Sequence, residues 1–395
     1  MSGAPVSAAQ ETGLRLGVYA DFSYRVDGDS VYAELPFSRF IEGLAPHCER
    51  LVVIGRLDPS PGRFPYLLRA AQFVALPHYS SGADLGAVLR AVPASIRRFW
   101  RALDDLDVVW VLGPNPPQAL LFALLGRLRR RRVVLGVRQN LPELIRHRRP
   151  DEPVVIAAAH VLEQAFRLLA RFAPVVVVGP DLAARYRGAK SLLSVYVSLL
   201  QADDLLPERD DRRRYDGDQL VMLSVGRLDP EKNPLLLADV LCRALRADPR
   251  WRLDVCGDGA LADALDARAA ELGVTERLVQ HGHVPVDGRL WDFYRDSHAL
   301  VHVSMTEGVP QVILEAFASR LPVVATDVGG VGHLVADRGL LAPPRDPEAA
   351  ALALGRLAVD APLRERLVDA AQREAAEHTM QAECARLARF LAGAT

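Results

Sequence analysis

Lysine is almost missing from this sequence. Of its 48 Lys and Arg residues, only Lys190 and Lys232 are lysines. A chain this rich in Ala and Arg looks shaped by a GC-rich coding bias, so a lysine that persists is a candidate for a specific task. Cysteine is sparse too: Cys48, Cys242, Cys256 and Cys384 are scattered, with no C-x-x-C or metal-ligand spacing. That excludes a disulfide framework and fits free thiols in a reducing cytoplasm. No apolar run approaches the roughly 20 residues of a membrane span, and the opening MSGAPVSAAQETG lacks a basic-then-apolar signal pattern. The expected location is the cytoplasm, with any membrane contact peripheral, at the inner face. No G-x-G-x-x-G follows a strand with an acidic residue about 20 positions on, which removes a nicotinamide dehydrogenase. The net charge of −1 and the lack of any nucleic-acid motif remove a nucleic-acid partner.

The near-zero charge hides an asymmetry. Residues 1–205 carry 25 Lys and Arg against 19 Asp and Glu, and the remainder carries 23 against 30. A basic first half suits contact with something anionic. Short apolar strands and helical stretches alternate along it, with strands read at 14–19, 51–55, 72–76, 108–112, 133–137 and 175–178. Residues 20–30 read as a loop, 34–46 as a helix, and 153–172 as a long helix. Residues 201–219, rich in Asp and Arg and poor in apolar side chains, read as a linker. The alternation then restarts at 220–225 and ends in three helical stretches. Such alternation implies doubly wound parallel sheets. The division expected is 1–205, 206–375 and a terminal helix at 376–395.

The stretch 301–327, VHVSMTEGVPQVILEAFASRLPVVATD, reads as strand, loop, helix and strand. Pro310 suits the first helical position, since its missing N–H would be unpaired there. Glu307 then lies beside the helix N-terminus and Glu315 just over one turn inside, both able to face a crevice at the strand ends. Upstream, the loop VGRLDPEKNP places Arg227 and Lys232 before a helix that starts near Pro234, a cationic cradle suited to a diphosphate. Cys256-Gly257-Asp258-Gly259 is a strand-end turn where backbone approaches a ligand or tucks tightly. Gly329-Gly330 repeats that idea.

The order GRLDPEKN, CGDG, Glu307-x7-Glu315 and PVVATDVGG resembles the retaining glycosyltransferases of family 4, the group 1 glycosyl transferases. The likeness is motif-specific over about 220–335 and architectural before it. It implies a GT-B fold: two tandem Rossmann-like domains facing a cleft, the last helix crossing back to the first domain. It implies a nucleotide-sugar donor on the second domain and an acceptor on the first, with sugar transfer retaining the anomeric configuration. It assigns Glu307 to the donor sugar, Glu315 to the ribose, Arg227 and Lys232 to the diphosphate, and the backbone of Gly308, Val309, Pro310 and Gln311 to sugar and phosphate. Gly257 and Gly259 join the donor side. No metal or other cofactor is implied.

The sequence departs from the family in places. The loop after the first strand, DFSYRVDGDS, has only Gly28 where members carry Gly-Gly, and it places Asp21 near the cleft. Arg138-Gln139-Asn140 stands where members place a histidine, making Arg138 and Gln139 candidates for the sugar or acceptor side. After Gly329-Gly330, His333 and Asp337 stand near a position often acidic. The arginine run from Arg127 to Arg132 reads either as a helix-end cation cluster or as a patch for an anionic membrane or lipid-linked acceptor. Two alternatives share the architecture: a GT-B nucleotide-sugar epimerase and a non-catalytic sugar-nucleotide-binding scaffold.

Overall fold

A computed structural model of the chain describes residues 13–79, 85–207, 213–285 and 288–393. Two sheets organise it. In the first, seven parallel strands run in the order Gln72–Leu76, Arg50–Leu57, Arg15–Asp27, Val108–Gly113, Arg132–Val137, Pro174–Val178 and Ser191–Val195. The second is wholly parallel: Leu278–Gln280, Trp251–Cys256, Leu220–Val225, Ala299–His302, Val323–Thr326 and Leu340–Ala342. Both begin in the middle and wind outwards in two directions. Their strands are near-continuous apolar runs because helices cover both faces.

The loop expected at 20–30 is a strand and a turn. Arg15–Asp27 runs straight through it and pairs antiparallel with Ser30–Ala33, which pairs in turn with Tyr66–Leu68. Tyr24 and Val26 continue the strand periodicity, and Gly28 takes the positive φ of 58° that the turn needs. The helix expected at 34–46 shrinks to Phe37–Glu42, followed by a 3-10 turn, Ala45–His47, between Gly43 and Cys48. Leu141–Arg148 forms a helix that the apolar spacing did not announce. Pro310 caps the helix Gln311–Ala318 in extended conformation, one residue earlier than expected.

Residues 201–207 and 213–219 are tied down rather than free. Ala202–Asp204 is a 3-10 turn closed by a Gln201–Asp204 capping box, and the Leu206 amide donates to the Ala318 carbonyl at 2.9 Å. The final helix, Met380–Ala392, packs on the first sheet's domain. Arg132 Nε donates to the Leu391 carbonyl at 3.0 Å, and Cys384, Leu387 and Leu391 are buried. One apolar cluster joins the domains, running from Val176 and Val178 to Val309 and Ile313.

One helix, Pro153–Ala170, is long and apolar enough by composition to cross a membrane, which the reading of apolar runs did not anticipate. Its Ala159, Phe166 and Ala170 are buried in the first domain, while Val154 and Val161 are exposed.

Candidate active site between the domains

The second sheet changes direction between Leu220–Val225 and Ala299–His302, neighbours whose onward connections go to opposite edges. Ligands of such sheets bind outside the strand ends at that point. The loops leaving these two strands carry Lys232 and Glu307, and the fold brings them together. Lys232 Nζ pairs with Glu307 Oε1. Ser304 Oγ donates to the same oxygen at 2.8 Å, and His302 Nε2 lies 3.1 Å from it. Glu307 Oε2 has no protein donor among the described residues. Burial alone would raise the Glu307 carboxyl, but the Lys232 ammonium and His302 outweigh it and hold it well below the usual carboxylate range. His302 and Ser304 were missed at the sequence level. The signal was their place at and just past the end of the strand, five and three residues ahead of Glu307.

Glu315 is buried on the helix Gln311–Ala318, and Tyr294 Oη donates to its Oε2 at 2.6 Å. Burial pushes this carboxyl up, against the opposing pull of the Tyr294 hydrogen bond. The two glutamates therefore differ in kind: Glu307 is firmly ionised, and Glu315 is a less acidic, tyrosine-held acceptor. Burial pushes the Tyr66 hydroxyl of the first domain up, against the pull of Arg39, and the Glu315 charge adds to the rise.

Glycines set the backbone spacing. A Cβ on Gly330 would sit 2.0 Å from the Gly308 carbonyl oxygen, and one on Gly329, at φ 49°, 2.1 Å from that of Glu307. On the other side, a Cβ on Gly308 would lie 3.1 Å from the Arg138 carbonyl, while Val309 meets Gly179. The loop holding Gly308 and Val309, which leads to Pro310 and Gln311, is thus pressed between the Gly329-Gly330 turn and the first domain. Gly257 and Gly259 have an internal explanation. Their Cβ atoms would strike the Gly226 carbonyl at 1.8 Å and the Leu228 backbone at 2.7 Å.

Arg227 lies on the Lys232 loop but turns to Asp229 and, through Nη2, to Glu231 Oε1 at 2.9 Å. Glu231 is buried and also accepts from Arg148 Nη2 of the first domain at 2.7 Å. Burial opposes ionisation of Glu231, yet the two arginines keep its carboxyl below the ordinary value. Neither Arg148 nor Glu231 was singled out in the sequence, because one lay in an unremarkable basic cluster and the other inside the cationic motif.

On the first-domain side, Gln139 lines a cavity with Thr306, Glu307, Gly308 and Gly329. Asp21 is committed internally: Arg56 Nε lies 3.1 Å from it and Tyr79 Oη donates at 2.8 Å. Arg138 stacks its guanidinium over Phe37 at 4.2 Å and Phe22 at 5.3 Å. His333 Nε2 faces Asp181 of the first domain at 3.6 Å, while Asp337 is exposed beside Arg338. The arginine run is largely engaged within the chain. Arg127 donates to the Phe172 carbonyl, Arg129 pairs with Asp104 over Trp100, Arg131 donates to the Asp104 carbonyl, and Arg132 caps the last helix. Among the described residues, no group of three His, Cys, Asp or Glu side chains is placed to hold a metal ion.

Residues 207–374 match the family model of the glycosyl transferases group 1. The second domain belongs to that family. Similar curated proteins include D-inositol 3-phosphate glycosyltransferases. That of Frankia alni is 40% identical over 172 residues, 41% of this chain and 42% of the relative. That of Salinispora tropica is 34% identical over 247 residues, 56% of this chain and 49% of the relative. The chain thus spans less than half the length of the curated relatives it matches. Whole-chain likeness is structural. Sucrose-phosphate synthase from Thermosynechococcus elongatus superposes with a TM-score of 0.71 at 18% identity, covering 95% of this chain and 98% of the other. Anabaena Alr3699/HepE in complex with UDP gives 0.71 at 16% identity, covering 96% and 99%. The two-domain architecture is the GT-B fold.

Proposed function

We propose that the protein is a retaining glycosyltransferase that moves a sugar from a nucleotide-diphosphate sugar to an acceptor bound by the first domain. The observation that carries this is the meeting of Lys232 and Glu307 at the switch point of a group 1 domain. The Anabaena neighbour's complex with UDP supports the donor class. In this reading Glu315 accepts from the ribose hydroxyls, with Tyr294 fixing its orientation. Glu307 offers Oε2 to the sugar while Oε1 stays held by His302 and Ser304. Lys232 and Arg227 then exchange carboxylate partners for the diphosphate oxygens, and the backbone of Gly308 to Gln311 borders the sugar. As the bond from the anomeric carbon to the phosphate oxygen breaks, these cations take up the charge on the leaving group. The acceptor oxygen bonds from the same face, and its proton passes to the departing phosphate.

The residues invoked need no metal or further cofactor. The acceptor belongs against Gln139 and Arg138. Its setting is cytoplasmic, and a lipid-linked acceptor at the inner membrane face fits the exposed Leu124, Leu128 and Phe172 beside Arg130.

A thermal-shift panel of UDP-, GDP-, ADP-, TDP- and CDP-sugars tests the donor assignment. One base should stabilise the protein by several degrees. No stabilisation by any of them removes the assignment.

A further inference from the structure

Arg138 is a cation without a counter-charge. Neither an ion pair nor a side-chain hydrogen bond joins it to any described residue; its partners are the faces of Phe37 and Phe22. Other sequestered arginines of the first domain are matched, Arg25 to Asp58 at 2.8 Å and Arg56 to Asp21 at 3.1 Å. Asp21 lines the same cavity as Arg138, yet it is already held by Arg56 and Tyr79. Arg138 is half-buried, and a partly desolvated guanidinium with no anionic partner carries a cost that a bound anion would remove. The cost shows in its acidity: burial pulls Arg138 down to about 10. Cation–π stacking offsets part of this and fixes the orientation of the guanidinium plane.

The location is informative in its own right. The cavity, about 120 Å³, is lined by Asp21, Phe22, Leu112, Asn115, Arg138 and Gln139 among others. Leu112, Asn115, Arg138 and Gln139 lie at the carboxyl ends of Val108–Gly113 and Arg132–Val137, and Asp21 and Phe22 lie just past Tyr19, where Arg15–Asp27 ends its parallel pairing with Val108–Gly113. The first sheet changes direction between Arg15–Asp27 and Val108–Gly113, so this is its own ligand crevice. Gln139 and Leu144 line this cavity and also the one containing Glu307, so the two are adjacent. The volume suits a single small group rather than a whole sugar.

We propose that the substrate portion entering the first domain carries an anionic group, a phosphate or a carboxylate, and that Arg138 receives it. This rests on the glycosyltransferase reading. The group has two sources, a carboxylate on the donor sugar or a charged group on the acceptor. A guanidinium clamp suits either, since its paired N–H groups match two oxygens of a carboxylate or phosphate.

The test uses full-length wild type, Arg138→Gln and Arg138→Lys in calorimetric titrations. The donor arm compares UDP-glucuronate with UDP-glucose. The acceptor arm, with UDP present, compares glucose 6-phosphate and inorganic phosphate with glucose. In one arm the charged ligand should bind at least 10-fold more tightly than its neutral counterpart. Arg138→Gln should abolish that preference and Arg138→Lys should keep part of it, with UDP affinity unchanged throughout. A preference in the first arm assigns the anion to the donor, and one in the second to the acceptor. No preference in either arm, or a preference that survives Arg138→Gln, overturns the proposal. Failure of wild type to bind any nucleotide of the five-base panel would instead sink the glycosyltransferase reading, so the two failures are distinguishable.

Discussion

Arg148 of the first domain and Glu231 of the second meet across the cleft, Nη2 to Oε1 at 2.7 Å, and Arg227 reaches the same carboxylate oxygen at 2.9 Å. Glu231 thus couples an inter-domain tie to a cation assigned to the diphosphate. Arg148 is about two-fifths exposed, so its ion pair contributes little, about 0.5–1 kcal/mol after screening. Arg148→Ala should leave the fold intact and raise the KM for donor about 3–10-fold with a smaller change in kcat. Glu231→Ala, which removes the carboxylate shared by Arg148 and Arg227, should cost more stability. Steady-state kinetics and denaturant melts of the two variants check this ordering.

Lys232 and Glu307 neutralise one another at the cleft, and without Lys232 the Glu307 carboxylate keeps only Ser304 and His302. Breaking a fully buried pair costs about 3–5 kcal/mol, and this partly exposed one should cost less. Glu307→Gln and Lys232→Met should each lower kcat at least 100-fold. In stability, the double variant should lose less than the sum of the single losses. A double-mutant cycle by chemical denaturation measures that coupling. Strict additivity would mean that the pair seen here is not formed in solution.

The hydrogen bond from Tyr294 to Glu315 separates orientation from charge. Tyr294→Phe keeps the carboxylate but frees its Oε2, and nucleotide affinity should fall about 3–10-fold, the net effect of one ordinary hydrogen bond. Glu315→Ala removes the acceptor itself and should weaken binding further. Calorimetry with the nucleotide that the thermal-shift panel selects would compare them. Equal affinity in wild type and Glu315→Ala would detach Glu315 from the ribose.

His378 stands where the chain leaves the second domain for the last helix. Its Nδ1 lies 2.5 Å from buried Glu383 and its Nε2 3.3 Å from Glu374, and its ring stacks on Tyr196. Burial opposes its charge, but the two carboxylates prevail and raise it to about 9. A group whose folded value lies above its unfolded value of about 6.5 stabilises fully below 6.5. That contribution, up to about 3 kcal/mol by linkage, fades as pH rises through 9. Melting temperature should therefore fall between pH 6.5 and 9.5 in wild type and flatten over that range in His378→Gln. A wild-type profile as flat as the variant's would refute the charged crossover.

Much of the site was legible because it is encoded locally. Glu307, Pro310 and Glu315 follow from a strand–loop–helix with its own turn chemistry, and Lys232 stood out through the scarcity of lysine. The cationic loop and the glycine turns were readable for the same reason: each is a short stretch at a strand end. Less legible were residues whose meaning depends on a partner far along the chain. Tyr294 gains its meaning from Glu315, 21 positions later, and Arg148 from Glu231, 83 positions later. The antiparallel extension at 20–33 was hidden because two polar turn residues and a single glycine look alike in a loop and in a hairpin.

The sequence alone determined the alternating α/β architecture, the order of the strand-end motifs and the residue types they carry. Apolar periodicity and turn residues act over a few positions, so they can be read along the chain. Tertiary structure decided which charges meet. It bound Lys232 to Glu307, turned Arg227 away to Glu231, committed Asp21 to Arg56, and left Arg138 stacked on two rings without a counter-ion. Charge interactions depend on distance and burial, and only the packing of one sheet's loops against the other's sets those quantities.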